Sequence, residues 1–110
     1  MRGGLDIQVV KWGVELRMAG RLDSRSSPAA RNALHEHVDG AVGDLTVNLG
    51  ETEIWDGAGL GVIVGTNRRA RHAGRRLVLT DVRPRELRML RVARLPTTAV
   101  VRPALLPASC

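Results

Sequence analysis

Two hydrophobic periodicities alternate along this chain, and their order limits the folds open to it. Short runs with apolar residues at every second position are separated, after the first pair, by segments with apolar residues every three to four positions. Ile7 to Lys11 and Val14 to Ala19 are the first two runs; in the second, Val14, Leu16 and Met18 alternate with Glu15 and Arg17, and the break at Gly13 predicts an antiparallel hairpin. A helix is expected next: Ser27 can cap it, Pro28 suits its first turn, Ala30, Leu34 and Val38 (with Ala33) form one stripe, and Gly40 stops it. "DLTVNLG", residues 44 to 50, reads as a strand, and "ETEIWDG", residues 51 to 57, as a connector. A second helix runs from about Ala58 to Ala73 through Leu60, Ile63, Val64, Asn67 and Ala70, and Gly74 ends it. "RRLVLT" is a short strand, a third helix opens near Pro84 and buries Leu87, Leu90 and Met89, and "TTAVVRP" is an edge strand. Connections that carry helices favour parallel neighbours in one sheet, so the expectation is a small α/β layer structure.

At 110 residues the chain is one domain, long enough for a core that removes roughly 60 to 68 % of its unfolded surface from water. Residues 1–102 are expected to form that domain and the Pro-rich residues 103–110 a flexible tail. An apolar fraction of 44 % argues against disorder. Phe and Tyr are absent and only Trp12 and Trp55 are aromatic, so Leu, Val, Ile, Ala and Met must build the core. The single cysteine, Cys110, allows no internal disulfide, and no apolar run approaches the roughly 18 residues of a membrane span. Without a leader pattern at the N-terminus, these features lead us to expect a cytoplasmic setting.

The chain offers little reactive chemistry. His35 and His37 lie two apart and so face different ways on a helix, and His72 is on another element, which leaves no ligand set for a metal. Ser24, Ser26 and Ser27 read as turn and capping residues, and "GAGLGVIVG" lacks the Lys-Ser/Thr of a phosphate loop. Asp56 is placed to cap the second helix. Glycines 59, 61 and 65 within that helix cost about 1 kcal/mol each against alanine, which calls for close packing or a neighbour's approach. Charge is uneven: residues 1–67 hold 6 basic and 9 acidic groups, residues 68–110 hold 11 and 2. "NRRARHAGRR" and Arg83, Arg85, Arg88, Arg91 and Arg94 keep a nucleic-acid surface as an alternative, which the lack of stacking aromatics disfavours.

"VELRMAGRLDSRSSPAARNAL", "LTVNLGETEIWDGAGLGVIVGTNRRARHAGRRLVL" and "VRPRELRMLRVARL", in that order, resemble a STAS domain, the fold of bacterial anti-sigma factor antagonists, over roughly residues 5–100. The resemblance implies a mixed four- to five-stranded sheet with helices packed mainly on one face, and a non-enzymatic binding module without cofactor or metal. Its partner would be an anti-sigma factor of the serine kinase, histidine-kinase-like ATPase type. The family's signature loop reads Asp, Ser or Thr, Ser, Gly, Leu, and the kinase phosphorylates the second hydroxyl residue. Here the matching residues are Asp56, Gly57, Ala58, Gly59 and Leu60, so Ala58 occupies the acceptor position and cannot be phosphorylated; Asn48 stands where the family often has Asp. Asp56 would cap or orient the loop, Gly57 and Gly59 would permit close backbone approach, and Leu60 would point into the core. Asp23, Gly61, Asn67 and Arg68 complete the residues placed toward the partner. Thr52 and Thr66 read as turn and helix-surface hydroxyls. A scaffold or regulatory subunit of a transporter or signalling complex is the alternative within the same fold.

Overall fold

The computed structural model describes residues 4–105. Strands β1 (Leu5–Lys11) and β2 (Glu15–Leu22) are followed by α1 (Ser27–Asp39), β3 (Leu45–Ile54), α2 (Gly57–His72), β4 (Leu77–Val82), α3 (Pro84–Val92), a 3-10 turn (Leu95–Thr97) and β5 (Val100–Pro103). They form one five-stranded sheet in the order β1-β2-β3-β4-β5, antiparallel between β1 and β2 and parallel elsewhere. The mixed sheet with helices on one face is as expected. β5 runs through Pro103, and Ala104 N donates to Val82 O at 2.9 Å; the rest of the expected tail, residues 106–110, lies outside the described residues.

Aliphatic side chains alone fill the core, as the near-absence of aromatics requires. Leu16, Met18 and Leu22 of β2, Leu45, Val47, Leu49 and Ile54 of β3, and Leu77, Leu79 and Val82 of β4 meet Leu34 and Val38 of α1 and Val62, Ile63 and Ala70 of α2. α3 contributes Leu90 fully and Leu87 and Met89 in part.

The connector expected at residues 51–57 is a correction: β3 continues to Ile54. Its inward residues are Leu45, Val47 and Leu49, then Thr52 and Ile54, because pairing with β2 steps from Arg17↔Asn48 to Ala19↔Glu51. Two residues of β3 there face one of β2, a β-bulge that shifts the side-chain alternation by one place. Beyond Asn48↔Thr80, β3 also loses its pairing with β4. Asp81 takes a φ of 54°, and its carboxylate accepts from Asn48 Nδ2 at 2.6 Å. Side chains at the start of α3 replace the missing strand: Arg83 Nη2 donates to Thr52 O (2.8 Å), Arg85 Nη1 to Ile54 O (3.1 Å), and the buried Glu86 carboxylate accepts from Ile54 N (3.3 Å).

At the opposite end of the sheet lies another buried ion. Arg75 is 4 % exposed, and its guanidinium donates to the carbonyls of Gly13 (2.6 Å), His37 (2.8 Å), Gly43 (2.8 Å), Val38 (3.0 Å) and Asp44 (3.3 Å). Burial pulls Arg75 below the ordinary guanidinium value. One residue after α2 thus ties the hairpin turn, the end of α1 and the approach to β3.

His37 is buried beside that clamp, against Trp12 with ring centroids 4.8 Å apart, and its Nδ1 accepts from Gly13 N at 2.9 Å. Burial lowers its pKa, and burial followed by Arg69 and Arg31 lowers that of His35. Each folded-state value is below the unfolded 6.5, so as pH falls the unfolded chain takes up these protons first. Stability is therefore full above about pH 6.5 and declines below it until the folded-state values are passed. We expect the thermal midpoint to fall by a few degrees between about pH 7 and 5, and the combined His35→Gln, His37→Asn variant to flatten that slope. An equal slope in the variant would refute the assignment. Asp23, Asp39 and Asp44 are held below their usual 3.8, so their loss of stability comes at lower pH, outside this window.

Candidate partner-docking site

The bulge brings the end of β3 level with the end of β2, where Leu22 pairs with Ile54 and Trp55 N donates to Leu22 O at 2.9 Å. The chain then turns directly into α2. Asp56 is the N-cap, extended at φ −152°, and its Oδ1 accepts from Gly59 N at 2.9 Å. Its Oδ2 accepts from Ser24 N at 3.1 Å. One carboxylate therefore caps α2 and holds the β2–α1 loop beside it.

That loop is fixed by its own acid. Asp23 Oδ1 accepts from the backbone of Arg25 (2.9 Å) and Ser26 (3.0 Å), while the buried Ser27 hydroxyl donates to Asp23 O (2.5 Å). The Ser26 backbone bond, ahead of the other donors, lowers the Asp23 pKa. Asp23 does lie at the same end of the sheet as Asp56, with its carboxylate turned into its own loop. The cap expected from Ser27 is a correction: Ser27 is the first helical residue, and Ser26, at the N-cap, makes no side-chain capping bond.

The glycines of α2 divide into two kinds. A Cβ on Gly59 would lie 2.1 Å from Leu22 O, so this residue lets α2 lie directly on β2. Gly57, Gly61 and Gly65 have nothing within 4 Å of such a Cβ; they face outward and explain no close packing in this chain. Ala58 is exposed among them, as is Arg68 further along. Leu60 is half-buried rather than wholly in the core, and it lines a shallow apolar cleft of about 310 Å³ with Met89 and Val92 under the rim of Arg85 and Arg88. Asn67 does not face a partner: it is 5 % exposed and donates to Thr98 Oγ1 at 2.8 Å. Thr52 and Thr66 are corrections too. Both are buried, donating to Met18 O (2.7 Å) and Val62 O (2.8 Å), and neither hydroxyl is open to modification.

Two neighbours escaped sequence reasoning. The Arg21 guanidinium lies 3.9 Å from the centroid of the Trp55 ring, a cation-π pair at the lip of the site. Ser24 supplies the backbone donor to Asp56. Both are placed by the parallel β2–β3 register, which no local sequence signal reports.

Among the described residues no cluster of three or more His, Cys, Asp or Glu could hold a metal ion, and no helix is long and apolar enough to cross a membrane. A family model described as the Mlab STAS domain matches residues 7–106. The chain belongs to the STAS domain family. A STAS domain is a non-catalytic protein-interaction module. The solved structure of the unphosphorylated anti-sigma factor antagonist SpoIIAA is similar at 20 % identity, covering 92 % of this chain and 89 % of that one, with a TM-score of 0.69. The phosphorylated Bacillus SpoIIAA matches at 19 % identity, 88 % and 89 % coverage and a TM-score of 0.68. A putative anti-sigma factor antagonist from Thermotoga maritima matches at 15 % identity, 96 % and 88 % coverage and a TM-score of 0.71. At such identities these likenesses describe the shared STAS fold. No curated protein sequence matches significantly.

Proposed function

We propose that this STAS domain is an anti-sigma factor antagonist that docks on a kinase-type anti-sigma factor through Asp56, Gly57, Ala58, Gly59 and Leu60, and so frees a sigma factor. Gly61, Arg68 and the Asp23 loop flank the contact. The observation that carries this reading is the exposed methyl of Ala58 in the first turn of α2, on a loop held rigid by Asp56. A phosphate there would bring about −1.5 to −2 charges and three acceptor oxygens. With alanine the surface stays small and neutral, so the contact has no brake at this position.

Titration against an anti-sigma factor kinase with Mg-ATP tests the reading. The wild-type chain should bind without taking up phosphate, Ala58→Ser should bind and accept it, and Ala58→Glu should bind at least about tenfold more weakly. As a surface change, Ala58→Glu should leave the urea midpoint nearly unchanged. Stoichiometric phosphoserine on the wild-type chain, or full affinity in Ala58→Glu, would refute it.

A second reading keeps the same docking face and makes this STAS domain a scaffold or regulatory subunit of a transporter or signalling complex. Binding to a transporter ATPase but to no anti-sigma factor kinase, with the same loss in Ala58→Glu, would select it.

A further inference from the structure

The two edges of the sheet are protected very differently. β5 is four residues long, its pairing with β4 is irregular, and it carries Arg102 and ends at Pro103. Short length, charge and proline are the features that keep an edge from pairing with another strand. β1 is less protected: its charges are Asp6 and, at its very end beyond an irregularity after Val9, Lys11. It is seven residues long, contains no proline, pairs regularly with β2 from Leu5 to Val9, and among the described residues has no strand on its outer side.

Its side chains are those of an unfinished interface. Ile7 lies opposite Met18 and Val9 opposite Leu16, both inward residues, so Leu5, Ile7 and Val9 face the helix side of the sheet. Leu5 and Ile7 are only partly covered and Val9 is 51 % exposed. Beside Leu5 and Ile7 lies an open groove of about 880 Å³ between β1 and α1, walled across by Ala29 and Ala33 and closed at one end by Arg21, Asp23 and Arg25.

We propose that β1 is a self-association edge: two copies of this chain pair their β1 strands antiparallel about Ile7, joining two five-stranded sheets into one. Centred there, Leu5 of each copy lies opposite Val9 of the other and Ile7 opposite Ile7, and these apolar side chains meet on the groove side of the joined sheet. On the other face each Asp6 lies opposite Gln8 of the second copy, a carboxylate against a carboxamide. These two groups already match as acceptor and donor within one strand, at 3.3 Å. No like charges meet in this register, and the free backbone groups of both edges are satisfied. The pairing involves one strand and a shallow groove, so it belongs with the small interfaces of less than about 1,200 Å², which form weak dimers.

Sedimentation of the full chain over a concentration series of roughly 5 to 500 µM, the span in which such small interfaces associate, tests this. The expected result is a reversible monomer–dimer equilibrium, weakened at least about tenfold by Val9→Lys, a change at an exposed position that leaves the fold intact. Register is read separately by oxidation in a Cys110→Ser background. Residues directly opposite in an antiparallel pair lie within disulfide reach, so Ile7→Cys should cross-link and Gln8→Cys should not. A chain monomeric throughout the series would overturn the proposal, even if it took up an unrelated extended peptide at this edge. So would a dimer indifferent to Val9→Lys, or cross-linking at Gln8 in place of Ile7. Neither Val9→Lys nor the two cysteine variants touches Asp56 to Leu60, so these results are read independently of kinase docking.

Discussion

Arg75→Met should lower stability by about 3 kcal/mol or more, read as a large drop in the urea midpoint. The guanidinium supplies donors to five carbonyls from three separate segments. Methionine fills similar space and supplies no donor, so buried acceptors lose their partners together. Against a total stability of roughly 5 to 15 kcal/mol, such a loss is severe. Arg75→Lys should rescue only part of it, because one ammonium cannot reach acceptors arranged around a planar fork. A methionine variant with an unchanged midpoint would show that these carbonyls find water or other donors.

Gly59→Ala should destabilise while Gly61→Ala and Gly65→Ala stabilise, although all three lie in the same helix. Alanine in place of glycine favours an exposed helix by up to about 1 kcal/mol. At Gly61 and Gly65 nothing opposes that gain, since a Cβ would have no neighbour within 4 Å. At Gly59 the new Cβ would meet Leu22 O at 2.1 Å and Leu22 C at 2.8 Å. Those are backbone atoms of the central sheet and cannot rotate aside, so α2 must lift from β2 at a cost of about 1 to 3 kcal/mol or above. Because Asp56 caps this same turn, Gly59→Ala should also weaken partner binding. Chemical unfolding of the three variants side by side checks the signs; a stabilised Gly59→Ala would mean the helix moves outward freely.

Most of the fold is legible in the sequence because each element carries its own period. α1 announces itself through Pro28 and the Ala30, Leu34, Val38 stripe, and β2 through its alternation. The end of β3 hides because the bulge restarts that alternation one residue late, so Thr52 and Ile54 look out of phase with Leu45 to Leu49. Thr66 and Asn67 mislead for another reason: polar residues of a helix can be buried if an acceptor is waiting, here Val62 O for Thr66 and Thr98 Oγ1 for Asn67. Of the loop that opens α2, the capping role of Asp56 is readable from its position before a helix. Its second hydrogen bond, to Ser24, depends on a neighbouring parallel strand 32 residues away in sequence, and local patterns do not encode such distances. Arg75 hides similarly, as one arginine among many with nothing nearby to mark it as buried.

Beyond Asn48, the far end of β3 is paired with β2 on one side, and on the other it is gripped by the side chains of Arg83, Arg85 and Glu86 rather than by β4. A strand imposes its register on a neighbour at every residue, whereas three side chains act like fingers that can hold the same object from slightly different positions. The entry to α3, where Arg83 alone separates it from β4, can therefore shift slightly without moving the sheet, provided those fingers still reach. What such a shift would alter is the seating of Trp55 and Asp56, the next residues along, so the surface around them can drift in evolution while the layer of aliphatic side chains beneath it stays the same.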